Sequence, residues 1–440
     1  MENWGRFYIG LTEFNERPLP SPSFPPSNLL DLIGYTQTHP DVESTAGGLP
    51  RPDLLPRSDI LRASKEILTD PNISDSEVLQ YGGSSGNLRY REMVAGDLTA
   101  LTETRVAPEN VLTTAGGQHA ISLFLEATFG PGNPYGGILL TNSDTYAAAI
   151  GAAQKLNIQV AGLKTDEHGL DPDELADTLS YLHSLNIPAA VYTMAVSNPT
   201  GGIMPDSRGD NIALTCEEKG VPVAVDYAYR FLLFDPSESE PHVPYLSRKG
   251  ISAVFSTSKI IAPGLRTSHL VSLDSNLIAA VSAAKRDGVI MTPPLNELIV
   301  WRLMNDPSWL EERKSTVVAA YREGRDAALA AIERNSDVFR ADAPKGGMFL
   351  YPELPPGFST YSMLPRMLTG PKVAYVPGPW TQAGQLIMPD GKIIGVPPRD
   401  NRFRSCFTTL PPEVLGRTLD RQAAELRLIA QEEGITLFTS

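Results

Sequence analysis

The chain has 440 residues, with 37 Lys plus Arg against 51 Asp plus Glu, a formal charge of -14 and 42% hydrophobic residues. That length supplies a large core and more than one domain, and the acidic balance argues against a nucleic-acid-binding surface. Two cysteines, Cys216 and Cys406, exclude a disulfide framework and suit the cytoplasm, while the absence of a basic-then-apolar opening or of any long apolar run argues against export and a membrane span.

In chain order, Pro18, Pro20, Pro22, Pro25 and Pro26 interrupt any regular element, so residues 15–28 are expected to form an extended arm. Gly47-Gly48-Leu49-Pro50 follows, then Tyr81-Gly82-Gly83 with Gly86 and Leu88-Arg89. Between Arg89 and Leu273, helical patterns alternate with short apolar runs at Val111-Leu112, Ile138-Leu139-Leu140, Ala190-Val191-Tyr192 and residues 221–225. This is the rhythm of a sheet covered on both faces, and such α/β domains place ligands at the C-terminal ends of their strands.

The residues that carry chemistry fall at those ends. Thr113-Thr114-Ala115-Gly116-Gly117-Gln118 is a small-residue turn opening an expected helix over 119–129, where backbone N–H groups and the helix N-terminus favour an anion. Tyr146 follows an apolar strand over 137–142, Asn198-Pro199-Thr200-Gly201-Gly202 makes a turn, and Val223-Ala224-Val225-Asp226 reads as a buried strand ending in an acid, with Tyr229 three residues on. Ser256-Thr257-Ser258-Lys259, followed by Pro263-Gly264-Leu265-Arg266, sets one lysine among hydroxyls and a guanidinium. A lysine amine attacks an aldehyde only when neutral, which requires burial or a neighbouring cation, and two serines with an arginine fork suit a phosphate dianion. Pyridoxal phosphate (PLP) carries both groups. A helical pattern over 309–335 then leads to a smaller α+β unit with Lys345-Gly346-Gly347-Met348-Phe349-Leu350, Val376-Pro377-Gly378, Asn401-Arg402-Phe403-Arg404-Ser405-Cys406-Phe407 and a helix over 411–433. Alternation puts Arg402 and Arg404 on one side of that strand, so spacing alone does not choose which arginine grips a carboxylate.

Taken together, these motifs resemble the fold-type I PLP enzymes, the aspartate aminotransferase superfamily of class I/II aminotransferases, and most of all their aminoadipate- and kynurenine-type branch, over residues 45–435. The resemblance implies an α/β fold in three parts: an N-terminal arm with part of the small domain (1–45), a large PLP-binding domain with a mainly parallel seven-stranded sheet between helices (46–305), and a small α+β domain (306–440). It implies that Lys259 forms the Schiff base, that Asp226 meets the pyridine nitrogen, that Asn198 and Tyr229 meet the phenolic oxygen, and that Tyr146 lies on the ring. Gly116, Gly117, Gln118, Ser256, Ser258 and Arg266 would hold the phosphate, with Tyr81 and Thr292 reaching the phosphate of a neighbouring subunit; Arg404, Gly48 and Asn198 would receive the amino-acid substrate. A homodimer with shared active sites is implied, without metal, nucleic acid or membrane. Ala115, Asp144 and Ser268 depart from the pattern, standing where relatives carry a hydroxyl residue, proline and glycine.

The leading reading is a PLP-dependent aminotransferase. A second is PLP-dependent β/γ-elimination, replacement or cyclisation in specialised metabolism, with S-adenosylmethionine as a substrate because Gly10-Leu11-Thr12-Glu13 is similar to the opening of aminocyclopropane-carboxylate synthases. A third, a PLP-binding transcriptional regulator, calls for a winged-helix domain for which the proline-rich N-terminus is too short.

Overall fold

A computed structural model describes residues 24–102, 104–134, 136–235 and 244–439. The Tyr8–Glu13 opening, Pro18, Pro20 and Pro22 lie outside the described residues. After non-helical residues 24–28 the chain enters a helix, Leu29–Thr38, that the arm expectation did not include; Asn28 caps it, its side-chain oxygen accepting from the N–H groups of Leu30 at 2.9 Å and Asp31 at 3.0 Å.

Seven strands form the central sheet, in the spatial order Val111–Thr114, Ser268–Val271, Ile251–Ser256, Val223–Asp226, Ala189–Met194, Ile138–Asn142, Gln159–Leu163. Only Ser268–Val271 runs antiparallel to its neighbours. The apolar runs become strands because side chains alternate between two buried faces. Val111, Ile138, Leu140, Val191, Val223, Val225, Ala253 and Phe255 enter one hydrophobic cluster, while Leu112, Leu139, Ala190, Tyr192, Ala224 and Val254 enter another. The helices Leu88–Thr102, Pro172–Ser184, Asp206–Lys219 and Pro294–Met304 contribute to the first cluster, and Gly117–Phe129, Ala147–Lys155 and Ser275–Val289 to the second. Gln159–Leu163 is a sheet-edge strand that the apolar-run reading passed over, because it opens on the exposed Gln159 and carries Gly162 inside it.

The helix expected over 309–335 spans Pro307–Arg334; the Asp306 side chain caps it by accepting from Trp309 N–H at 3.1 Å, and Pro307 fits the first turn, where no N–H is needed. It packs along Pro412–Glu433. A third cluster gathers Leu32, Val42, Phe339, Leu354, Leu364, Tyr375, Phe403 and Leu426 around a small sheet in which Phe403–Cys406 pairs with Phe349–Leu350 on one side and Val376–Pro377 on the other. Glu43–Ser44 pairs parallel with Val373–Ala374, tying the N-terminal segment to this unit. Among the described residues no helix is long and apolar enough to cross a membrane.

Candidate active site

Because Val111–Thr114, Ile138–Asn142, Ala189–Met194, Val223–Asp226 and Ile251–Ser256 all run the same way, their C-terminal ends deliver Gly117, Tyr146, Asn198, Asp226 and Lys259 to one cavity of 680 Å³. Gly48, Gln118, Tyr229, Ser256, Ser258, Arg266 and Arg404 line it as well.

Lys259 Nζ donates to the Gly48 carbonyl at 2.8 Å. Burial, reinforced by Arg404 and Arg266 against Asp226, brings its ammonium down to about 8. Neutral amine therefore accumulates as pH rises through about 8 rather than through the ordinary lysine range. The rate at which the cofactor-free protein fixes PLP covalently is expected to climb over that interval and level off above it, read as borohydride-stable label on Lys259; a rise delayed until pH 10 contradicts the assigned environment.

Asp226 is 7% exposed. One carboxylate oxygen accepts from Ala228 N–H at 2.9 Å and the other from the Tyr192 hydroxyl at 2.9 Å. Burial still lifts its pKa to about 6 against these two donors and Lys259. Tyr192, a strand residue read from sequence only as apolar core, is thus part of the site; nothing in its local pattern distinguished it, since its partner lies 34 positions away on the neighbouring strand. Tyr192→Phe removes a donor to a buried charge, an effect of about 1.5–3 kcal/mol, and raises the Asp226 pKa further. PLP affinity of the cofactor-free variant is expected to fall roughly 10-fold or more and to decline with acid at a higher pH than in the parent, in fluorescence titrations; an unchanged pH profile would show that Tyr192 does not hold Asp226 ionised.

At the first turn Gly116 has φ 109°, in the region that favours glycine, and an added Cβ would come within 2.2 Å of an Arg266 nitrogen. Arg266 itself is left-handed at φ 49° and donates to the carbonyls of Ala115 at 2.6 Å and Pro263 at 3.2 Å. The N-terminus of Gly117–Phe129, the Arg266 guanidinium and the Ser256 and Ser258 residues therefore face one end of the cavity. Ala115 lacks a hydroxyl, but its N–H donates to His119 Nδ1 at 3.1 Å, and burial keeps that imidazole neutral, near a pKa of about 4. Ser268 Oγ lies 3.2 Å from Ser256 Oγ, so this departure adds a hydroxyl beside the same end. Gly116 stands behind Arg266 rather than in the cavity wall.

The other end centres on Arg404. It is 2% exposed, donating to Asn198 Oδ1 at 3.2 Å and to the Ala46 carbonyl at 2.9 Å, and its guanidinium lies 4.2 Å from the centre of the Phe349 ring. Its Nε is buried without a hydrogen-bond partner, and among the described residues no carboxylate is paired with it. A buried guanidinium with a free N–H edge in a cavity is a receptor for an incoming carboxylate. Asn198 Nδ2 in turn donates to the Tyr229 hydroxyl at 3.4 Å. Arg402, the alternative that spacing left open, is instead ion-paired with Glu353 at 2.6 Å. Gly48 admits no side chain here, since a Cβ would lie 2.6 Å from the Phe349 ring.

Asp144, standing where proline was expected, does not leave its loop loose. Its Oδ1 accepts from the Tyr351 hydroxyl at 2.9 Å, Thr145 N–H donates to the Thr381 carbonyl at 2.7 Å, and Ala383 N–H to the Ser143 carbonyl at 2.9 Å. Backbone pairing with 381–383 thus fixes the approach to Tyr146 without a proline.

Besides Gly116, two expected residues are not brought to the cavity. Tyr81 is 76% exposed. Thr292 is 2% exposed, and its hydroxyl is engaged within its own chain by Thr113, at 2.7 Å, and by Glu297. Thr292, expected to reach a neighbour's phosphate, has its hydroxyl bonded within the single chain to the acidic Glu297.

Residues 52–421 match the family aminotransferase class I and II. The chain is 32% identical over 358 residues to 2-aminoadipate transaminase of Thermus thermophilus, covering 80% of this chain and 84% of that protein. It is 26% identical over 404 residues to aromatic-amino-acid aminotransferase 1 of Thermococcus litoralis, covering 91% of each. Among solved structures, the α-aminoadipate aminotransferase of Thermus thermophilus in complex with N-(5'-phosphopyridoxyl)-L-leucine superposes with a TM-score of 0.75 at 29% identity, over 89% of this chain and 94% of that one. The multiple substrate aminotransferase of Thermococcus profundus gives 0.81 at 25% identity, over 96% and 100%. The chain belongs to the class I and II aminotransferases and has their fold-type I architecture. It is a PLP-dependent aminotransferase.

Proposed function

We propose that this enzyme moves the amino group of an α-amino acid through Lys259, with the roles divided along the cavity. The observation that carries the reading is that one 680 Å³ space holds an amine with a lowered pKa, a buried acid and a buried guanidinium without a carboxylate partner. PLP, when bound, supplies an aldehyde for the amine and an electron sink for the reacting carbon.

The residues fit that group. Gly117, Gln118, Ser256, Ser258 and Arg266 would take its phosphate, with Gly116 leaving room for the Arg266 fork; Asp226, held by Tyr192, would meet its ring nitrogen; Asn198 and Tyr229 its phenolic oxygen; Tyr146 its ring. Arg404 would bind the substrate carboxylate with two N–H groups, fixing which bond at the α-carbon faces Lys259. Lys259, whose free amine is neutral above about pH 8, would accept the α-proton of the bound amino acid and carry it for return. The Gly48 carbonyl is placed to hold the protonated lysine between these steps.

The exposed Tyr81 supports a homodimer in which each chain completes its partner's site. Two free, buried cysteines support a cytoplasmic enzyme. The separate hydrophobic cluster around Phe403 supports a small domain at 306–440 that takes in part of 1–45, beside a large domain at 46–305. The amino acids printed in the relatives' names, 2-aminoadipate and the aromatic amino acids, frame the range of donors.

Mixed dimers test site sharing. With Tyr81→Ala in one chain and Lys259→Ala in the other, each hybrid should retain one intact site and measurable turnover, while either homodimer is impaired. A fully active monomer in sedimentation, or hybrids no better than the parents, contradicts shared sites.

A further inference from the structure

The cavity is larger than its two polar ends require, and the remainder of its wall is mostly apolar and without charge. Leu29, Leu30 and Ile33 of the helix Leu29–Thr38, Leu49, Ile150 and Trp380 all line it. Leu30 is 78% exposed and Leu49 49% exposed, so large aliphatic side chains are held out of the core at this site. An apolar wall left open to water is stabilised when a ligand covers it.

The charges of the wall complete the argument. Among the described residues the only cations lining the cavity are Lys259, Arg266 and Arg404. Lys259 is the amine, Arg266 stands at the helix N-terminus beside Ala115, and Arg404 is buried with Asn198. None remains for a second carboxylate. Of the uncharged amides, Asn28 caps its helix, Asn198 pairs with Arg404 and Tyr229, and Gln382 donates to Tyr351 and the Arg399 carbonyl while accepting from Arg399 N–H; Gln118 and Gln154 carry no charge to offer a carboxylate. A distal carboxylate carried into this wall would lose water without gaining a cation, a large cost.

We infer that the preferred amino donor carries a large apolar side chain, aliphatic or aromatic, and that the site discriminates against dicarboxylic amino acids, including the 2-aminoadipate of the related Thermus thermophilus enzyme's name. Leu30, Ile33, Leu49, Ile150 and Trp380 set this preference. The inference rests on the amino-transfer reading.

Two readouts test it. In the first half-reaction, leucine, methionine and phenylalanine should each exceed aspartate, glutamate and 2-aminoadipate in kcat/KM by about 100-fold or more, since a site without a partner for a charged group rejects it strongly. Independently of turnover, calorimetric titration of the holoenzyme should show 3-phenylpropionate binding at least about 10-fold more tightly than glutarate. Ile33→Arg and Ile150→Arg, each placing a cation in the apolar wall, should narrow both ratios. Dicarboxylic donors equal to or better than the apolar ones, with amino transfer intact, overturn the specificity and leave the aminotransferase reading standing. No transfer from any amino acid defeats that reading and the inference with it. Should an arginine variant fail to fold, the wild-type ratios and the calorimetric comparison still decide.

Discussion

Lys259→Ala is expected to abolish covalent attachment of PLP and to lower turnover by at least about 10⁴-fold, because the proposed mechanism assigns one side chain as both the nucleophile and the proton carrier. Its environment gives the reason: burial and two arginines work against its charge while the Gly48 carbonyl and Asp226 keep it in place. The fold should survive, since the substitution removes a polar group from a buried setting and leaves the sheet pairing of Ile251–Ser256 untouched. Circular dichroism and thermal unfolding check the fold, and borohydride reduction followed by peptide mapping checks the attachment. PLP fixed instead to another lysine in the parent enzyme would contradict the assignment.

Arg404→Ala is expected to weaken substrate binding and slow the chemical step together. Removing one partner of a buried, hydrogen-bonded charge pair costs about 2–5 kcal/mol, roughly a 30- to 5,000-fold loss in kcat/KM. Arg404→Lys keeps the charge but not the planar fork, so it should fall between the parent and the alanine variant. Arg402→Ala removes a partly exposed ion pair with Glu353 and should leave kcat/KM within a few-fold. Steady-state kinetics with one amino donor separates the two arginines; equal losses at both positions would show that the cavity does not distinguish them.

Much of the site was legible because its chemistry is written in contiguous runs. Lys259 with Ser256, Ser258 and Arg266 lies within eleven residues, and Asp226 ends an apolar strand that any period-based reading finds. Both faces of that strand are buried, so the run is uninterrupted and the terminal acid stands out. The parts that were not legible depend on contacts distant in sequence. Tyr192 donates across strands to Asp226, and Thr292 is turned inward by Glu297 and Thr113. The feature that sets Arg402 apart from Arg404, its ion pair with Glu353, lies 49 positions away in sequence. The loop at Asp144 lost its proline yet keeps its course through pairing with 381–383, a compensation that appears only when the small unit folds against the sheet. The helix Leu29–Thr38 was overshadowed by the proline cluster before it, although Asn28 with Asp31 is a recognisable cap.

The central claim is that the cavity transfers an amino group and does not expel a substituent. Holoenzyme mixed with a single equivalent of a good amino donor, with no oxo-acid acceptor present, tests it most directly when absorbance and mass spectrometry follow cofactor and product together. The expected result is conversion of the cofactor to pyridoxamine phosphate with one equivalent of the matching oxo acid. Return of the cofactor to its aldehyde form while a β- or γ-substituent leaves the amino acid, with S-adenosylmethionine as the donor to include, would contradict it.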